Sequence, residues 1–179
     1  MINSINKINA ENIFLFPNNG NIILAAEQAK EISDKNVIVI KTKSVPESFS
    51  SLVVFDENLS CDENESNMIS AFKENKVAQV TFSVRDTTMN GKTIKKGDYI
   101  GIENGEIKVS GKDLNKACIE LLKKITDEED SIITVYYGKE IDEKSAKDMI
   151  SKIEKEYADF DVVLQYGGQP IYYYLFSVE

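Results

Sequence analysis

The sequence contains no histidine. That removes Ser-His-Asp and Cys-His catalysis, histidine general bases and most zinc sites. An enzyme built on this chain must rest on carboxylates, lysines or tyrosines. Arginine is almost missing as well, Arg85 being the only one. The two cysteines, Cys61 and Cys118, stand too far apart for a disulfide framework or a metal-ligand pair. Cys118 falls on an apolar helical stripe and reads as a small core residue. No apolar run approaches the length of a bilayer-spanning helix. The N-terminus lacks the basic and apolar regions of a signal peptide. The expectation is a soluble, cytoplasmic chain without membrane insertion.

Phosphate-gripping motifs are also wanting. Gly91-Lys92-Thr93 imitates the end of a P-loop, but Asp86 stands where the leading glycine is required, and the context is a hairpin. Gly97, Gly101, Gly105 and Gly111 form no dinucleotide fingerprint. No spacing singles out a carboxylate pair for hydrolysis, so no catalytic residue and no metal site is assigned.

What remains is enough for a sizeable core. The chain has 179 residues, 42% of them hydrophobic, which suits one domain or two small subdomains. Its 30 acidic and 21 basic residues give a net charge of -9, which repels nucleic acid and anionic lipid. Lys92, Lys95 and Lys96 make the only basic knot.

The apolar pattern alternates between strand and helix. Ile2, Ile5 and Ile8 mark a short amphipathic helix with no strand before it, as in a piece of something longer. Residues 12–16 and 37–40 read as buried strands, and residues 21–33 as a helix with Ile22, Ala25, Ala26, Ala29 and Ile32 inward. Pro46 suits a first helical turn with Phe49, Leu52 and Val53 on one face. Ser60 and Glu63 have capping-box spacing. This order predicts an α/β fold, a mainly parallel sheet with flanking helices.

The middle differs. Residues 77–85, Tyr99–Ile102 and Glu106–Val109 are strand-like, and Asn90-Gly91 and Asn104-Gly105 are hairpin signals, so an antiparallel meander is expected there. Alternation then resumes. Leu114, Ala117, Cys118, Leu121, Leu122 and Ile125 form a helical stripe; Ile132–Tyr137 is a strand. Asp142 caps a helix carrying Ala146, Met149, Ile150, Ile153 and Tyr157. Asp161–Tyr166 and Ile171–Val178 are strands joined by Gly167-Gly168-Gln169-Pro170. Subdomains of 1–76 plus 77–111, and of 112–179, are expected, with a boundary near residue 110.

Two strand-to-helix mouths could hold a ligand. In Pro17-Asn18-Asn19-Gly20-Asn21 the first helical N–H groups meet no carboxylate before Glu27, so an anion would be welcome. The plainer alternative is that Asn18, Asn19 or Asn21 caps the helix. Residues Thr42–Ser51 make the second mouth, with Thr42, Ser44, Ser48, Ser50 and Ser51 as hydroxyl donors or as caps. Arg85-Asp86, at a strand end, is a functional pair or a structural pin. Tyr172, Tyr174 and Phe176 point to one face of the last strand, as core or as a partner surface.

Several stretches, in order, resemble the C-terminal domain of bacterial fatty acid kinase, a dihydroxyacetone-kinase-like (YloV-type) family distantly similar to DegV proteins. They are "IFLFPNNGNIILAAEQA", "VIVIKTKSVPESFSSLVVFD", "VTFSVRDTTMNGKTIKKGDYIGIENGEI", "ITVYYGKEI" and "YGGQPIYYYLFSVE", covering about Asn12 to Glu179. The resemblance implies a DegV-like fold and a single domain, 1–179, of a larger kinase. This domain would not be catalytic by itself. ATP and magnesium would belong to an N-terminal domain outside this sequence. The implied partners are the rest of the kinase chain and a DegV-like fatty-acid-binding protein that presents an acyl carboxylate for phosphorylation. The resemblance also implies that the two loops lie near such a carboxylate, which singles out Asn18, Asn19, Asn21, Thr42 and Ser44. Arg85, Tyr172 and Tyr174 are the candidate partner contacts. One departure stands out: Glu47-Ser48 replaces the Gln-Gly of many relatives, crowding and repelling an anion. The competing reading is a module that itself binds a fatty-acid or phosphate anion at the 17–21 mouth.

Overall fold

The computed structural model describes residues 1–89 and 92–179. The expected Asn90-Gly91 turn lies outside them. The chain divides between Asn75 and Lys76 into two units.

In the first unit, β1 (Asn12–Leu15) and β2 (Asn36–Val39) pair in parallel, Asn12 opposite Asn36 and Leu15 opposite Val39. Alternation along β2 sends Val37 and Val39 to one face and Ile38 and Ile40 to the other. The first pair joins Ile13, Ala26, Ala29 and Ile5, bringing in α1 (Ile2–Lys7) and α2 (Ile23–Glu31). The second pair joins Met68, Phe14, Phe16 and Phe72, bringing in α4 (Cys61–Glu74). Strand, helix and strand thus give the parallel crossover that the pattern predicts. The Ser60–Glu63 capping box forms at the start of α4.

Helix α3 (Val45–Val53) departs from expectation. Pro46 and Ser51 are its buried residues, while Phe49, Leu52 and Val53 are exposed. The reason is the contact it makes: Ser51 Oγ donates to Met68 O at 3.1 Å. The small, hydroxylated side of α3 faces α4, and the apolar stripe turns outward.

The second unit is built on a six-stranded sheet. Its strands are β3 (Lys76–Phe82), β6 (Tyr99–Glu103), β7 (Glu106–Gly111), β8 (Ile132–Tyr137), β9 (Asp161–Tyr166) and β10 (Tyr174–Val178), in the order β7-β6-β3-β10-β8-β9. A small separate hairpin pairs β4 (Thr87–Met89) with β5 (Lys92–Ile94). The meander strands share the sheet with the strands beyond residue 110, so one hydrogen-bond ladder runs across that position. Parallel pairing is confined here to β8–β9; every other pair is antiparallel. The antiparallel share is larger than the alternating pattern suggests, because β10 returns between β3 and β8 instead of adding to an edge.

Helices α5 (Leu114–Ile125) and α6 (Glu143–Glu156) cover one face, α6 capped as its sequence predicts and α5 capped likewise by Asp113. Asp113 Oδ1 accepts Lys116 N–H and Asp142 Oδ1 accepts Ser145 N–H, both at 2.9 Å. The α5 stripe packs on Ala78, Val80, Tyr174, Phe176 and Val178. Each such large apolar side chain contributes on the order of 1.5–3 kcal/mol. Cys118 lies in this core, where burial first and Asp113 second push its thiol upward.

At the start of β3, Lys76 Nζ reaches Asp127 at 2.5 Å and Asp130 at 2.8 Å, tying β3 to the segment after α5. Burial pulls the ammonium down, but the two carboxylates outweigh it and its pKa is raised. The Lys76 ammonium, helped by the Glu129 amide, holds Asp127 below its ordinary value of 3.8. A depressed carboxylate stabilises the fold above its unfolded pKa and loses that effect as pH falls. A raised lysine loses its effect only as pH rises above 10.5. Replacing Lys76 by Met is therefore expected to make the acid loss of stability below pH 3.8 less steep, measured by urea unfolding across pH. An unchanged acid limb would contradict this reading.

Candidate functional site

The two predicted mouths meet at the carboxyl edge of the parallel pair. Thr42 is 0% exposed, and its hydroxyl donates to Pro17 O at 2.7 Å. Ser48 Oγ donates to Thr42 Oγ1 at 3.2 Å and to Ser44 O at 3.0 Å. A Cβ placed on Gly20 would sit 3.9 Å from Lys43 Cγ. The structure thus brings the segment of Asn18, Asn19 and Asn21 against the segment of Thr42 and Ser44.

Several polar groups there already have local work. Asn19 Oδ1 accepts Asn21 N–H at 2.9 Å and caps a 3-10 turn, Gly20–Ile22, that leads into α2. Within that turn Ile22 N–H donates to Asn19 O and Ile23 N–H to Gly20 O. The orphan donors of the α2 mouth are in this way largely consumed. Ser44 Oγ accepts Glu47 N–H at 3.3 Å and caps α3. Glu47 then turns back, its Oε2 accepting Lys43 N–H at 2.5 Å. A resident carboxylate therefore occupies the α3 mouth, and a second anion would meet it head-on. Glu27, the first acid after the opening turn, pairs with Lys41 at 3.0 Å. Asn18 and Asn21 are exposed.

The second group of candidates lies in the other unit, at the carboxyl ends of β3, β8 and β9. Tyr173 N–H donates to Val80 O at 2.8 Å and Gly138 N–H to Tyr173 O at 2.8 Å. Tyr172 therefore stands beside β3, which ends at Phe82, three residues before Arg85. Arg85 is exposed, and its carbonyl accepts Ser83 Oγ at 2.7 Å. Asp86 Oδ1 accepts Lys96 N–H at 2.7 Å. Among the described residues the pin on the hairpin is thus Asp86 to a backbone amide, with no Arg85–Asp86 ion pair. Tyr174 is 1% exposed and packs in the core with Phe176. This corrects its candidacy as a surface contact: the strand is buried on both faces. Burial pushes the phenols of Tyr136, Tyr173 and Tyr174 upward, so they stay protonated at neutral pH.

Sequence reasoning missed a cavity of about 420 Å³ on the helix-covered side of this unit. Lys112, Asp113, Asp148 and Lys152 line it with Tyr99 and Tyr174. Two lysines against two aspartates offer a phosphate no net attraction. Among the described residues no group of three or more His, Cys, Asp or Glu could hold a metal ion, and no helix is long and apolar enough to cross a membrane.

The loop staple has a measurable weight. Replacing Thr42 by Val leaves Pro17 O without its donor and is expected to cost about 1–3 kcal/mol in urea unfolding. Asn18→Ala, at an exposed position, is expected to stay within about 0.5 kcal/mol of the parent. Equal effects of the two would refute the assignment of Thr42 as the residue joining the loops.

The comparisons with known proteins agree with this architecture. Residues 1–179 match the FakA-like C-terminal family model, which describes the C-terminal part of fatty acid kinase FakA-like proteins. Protein YloV of Bacillus subtilis (strain 168) is 39% identical over 179 residues, which is 100% of this chain and 32% of that protein. An uncharacterized protein of Staphylococcus aureus (strain USA300) is 36% identical over 100% of this chain and 33% of its own length. The chain thus spans about a third of the length of these curated relatives. Among solved structures, a DegV lipid binding protein from Thermotoga maritima superposes with a TM-score of 0.65 at 14% identity, over 98% of this chain and 71% of that one. The Streptococcus pneumoniae fatty acid kinase B3 protein, loaded with linoleic acid, gives 0.65 at 15% identity, over 99% and 74%. Identities this low speak for the fold alone. Fold, full-length model match and relatives converge: the chain belongs to the FakA-like fatty acid kinase family, as its C-terminal part.

Proposed function

We propose that this chain is the non-catalytic, cytoplasmic C-terminal domain of a fatty-acid-kinase-like protein. It docks a DegV-like fatty-acid-binding protein so that the acyl carboxylate is phosphorylated on a separate domain. ATP and magnesium act on that other domain. The observation that carries this reading is the match of the whole chain to the FakA-like C-terminal family.

The side-chain chemistry supports it. The one cysteine in the core is held as a thiol by burial. At neither helix mouth is the chemistry that of a vacant anion site. The reading of a module that binds a fatty-acid or phosphate anion by itself at the 17–21 mouth has the local turn against it, since Asn19 Oδ1, Asn19 O and Gly20 O already take the amides of Asn21, Ile22 and Ile23. Docking, by contrast, asks only for an exposed surface that a partner can bury. Arg85 and Tyr172 are proposed to belong to it.

Isothermal titration tests the proposal. The 179-residue chain is expected to bind a DegV-like protein of the same organism, loaded with a long-chain fatty acid, and to hydrolyse no ATP alone. A folded chain that shows no heat of binding to any such protein, or that phosphorylates fatty acid unaided, would overturn it.

A further inference from the structure

The connection Gly167–Tyr173 is more elaborate than joining two strands requires. Tyr172 N–H donates to Pro170 O at 2.8 Å, bridging Ile171, whose φ is +73°. This is the rare and strained form of the γ-turn. Positive φ is uncommon for any residue with a side chain, and for a β-branched one it is a genuine outlier.

The surroundings leave the turn little choice. Thr81 Oγ1 donates to Ile171 O at 2.8 Å, tying it to β3. Lys139 N–H donates to Gln169 O at 3.1 Å, and Gln169 Nε2 to Tyr136 O at 3.0 Å, tying it to β8. Gly138 is held against it so closely that a Cβ there would lie 2.2 Å from Tyr172 O. Strain held by so many partners is a feature the fold maintains.

Folding draws little burial from the Ile171 side chain. The Ile171 side chain is 62% exposed, so a strained residue is spent on presenting an apolar group to water. Phe82, Val84 and Tyr166 are exposed at the same strand ends. Tyr173 packs between Phe82 and Tyr99, at 6.2 and 5.4 Å, and Tyr137 backs Tyr166 at 5.2 Å, so the aromatic ground beneath is firm. Exposed apolar side chains also line α3, but that helix is relaxed and caps itself, and nothing around it indicates what would cover it.

The charge around the turn says what would cover this one. The chain is acidic as a whole, yet the exposed cations Arg85, Lys95, Lys96 and Lys139 outnumber the exposed acids Asp86, Glu140 and Asp142 beside these strand ends, where Asp98 is half-buried. We propose that Ile171 is the anchor of the docking surface, entering an apolar pocket rimmed by carboxylates on the DegV-like fatty-acid-binding partner. This rests on the docking reading above and assigns it a residue. Binding then recovers the burial that folding forgoes, as central apolar anchors do in protein interfaces.

Ile171→Gly separates this role from a structural one. Glycine accepts positive φ without strain, so the variant is expected to melt at the same temperature as the parent or higher. Its affinity for the fatty-acid-loaded partner is expected to fall about tenfold or more. Ile171→Asn, polar and tolerant of the same backbone, is expected to lose affinity likewise, and parental binding is expected to weaken with added salt. If the parent binds and Ile171→Gly binds equally well, the anchor is refuted while docking stands. A variant that loses binding together with melting temperature would make Ile171 structural and also refute it. No binding by the parent would remove both proposals.

Discussion

The second unit depends on one strand being dry on both faces. Tyr174–Val178 lies between β3 and β8, and all of its residues are buried. It is antiparallel to both neighbours, with Tyr174 opposite Val80 on one side and Tyr137 on the other. The strand therefore has to enter the sheet at the carboxyl ends of β3 and β8. That geometry puts the preceding loop, Gly167–Tyr173, at the edge where open α/β sheets usually meet their ligands. Here the edge is filled by tyrosines, a glutamine and a knob of isoleucine. What the loop offers is contact area with a sharp apolar point.

The two helix mouths in the first unit make the complementary case. A strand running into a helix leaves donors that an anion can use, and both mouths have that form. Electrostatics decides otherwise. At α2 a 3-10 turn and Asn19 take up the amides locally. At α3 Ser44 takes one donor and Glu47 another. The Thr42 hydroxyl, buried, is spent on Pro17. The loops are joined to each other and leave few free donors facing outward.

Much of this was legible in the sequence, for reasons specific to each element. The α5 and α6 stripes are long and regular, and Asp142 caps α6 as local rules require. The Ser60–Glu63 box needs only its own four residues. The parallel crossover of β1 and β2 followed from alternating apolar runs. What was not legible depended on distant partners. The outward turn of Phe49, Leu52 and Val53 follows from Ser51 finding Met68 O, seventeen residues away. The insertion of β10 between β3 and β8 is a matter of topology that no local pattern records. The run Ile171–Val178 reads as one strand because its residues all favour extension, yet Ile171 is held out of it by the Thr81 hydroxyl on its carbonyl and by the Tyr172 N–H bond to Pro170 O that spans it. Of the site residues, Thr42 and Ser44 were singled out through the resemblance of their loop, and both make local bonds, Thr42 to Pro17 O and Ser44 as the α3 cap. Tyr174 reads from its strand face as core or as partner surface, and its ring belongs to the core.

The central claim is that this domain acts through the loop end of its second unit. Amide hydrogen exchange on the chain, free and bound to a fatty-acid-loaded DegV-like protein, measures this most directly. The account predicts slowed exchange concentrated in residues 82–86 and 166–173, with α3 and the Pro17–Asn21 loop unchanged. Protection confined to α3 or to the helix mouths, with the 166–173 loop untouched, would contradict it.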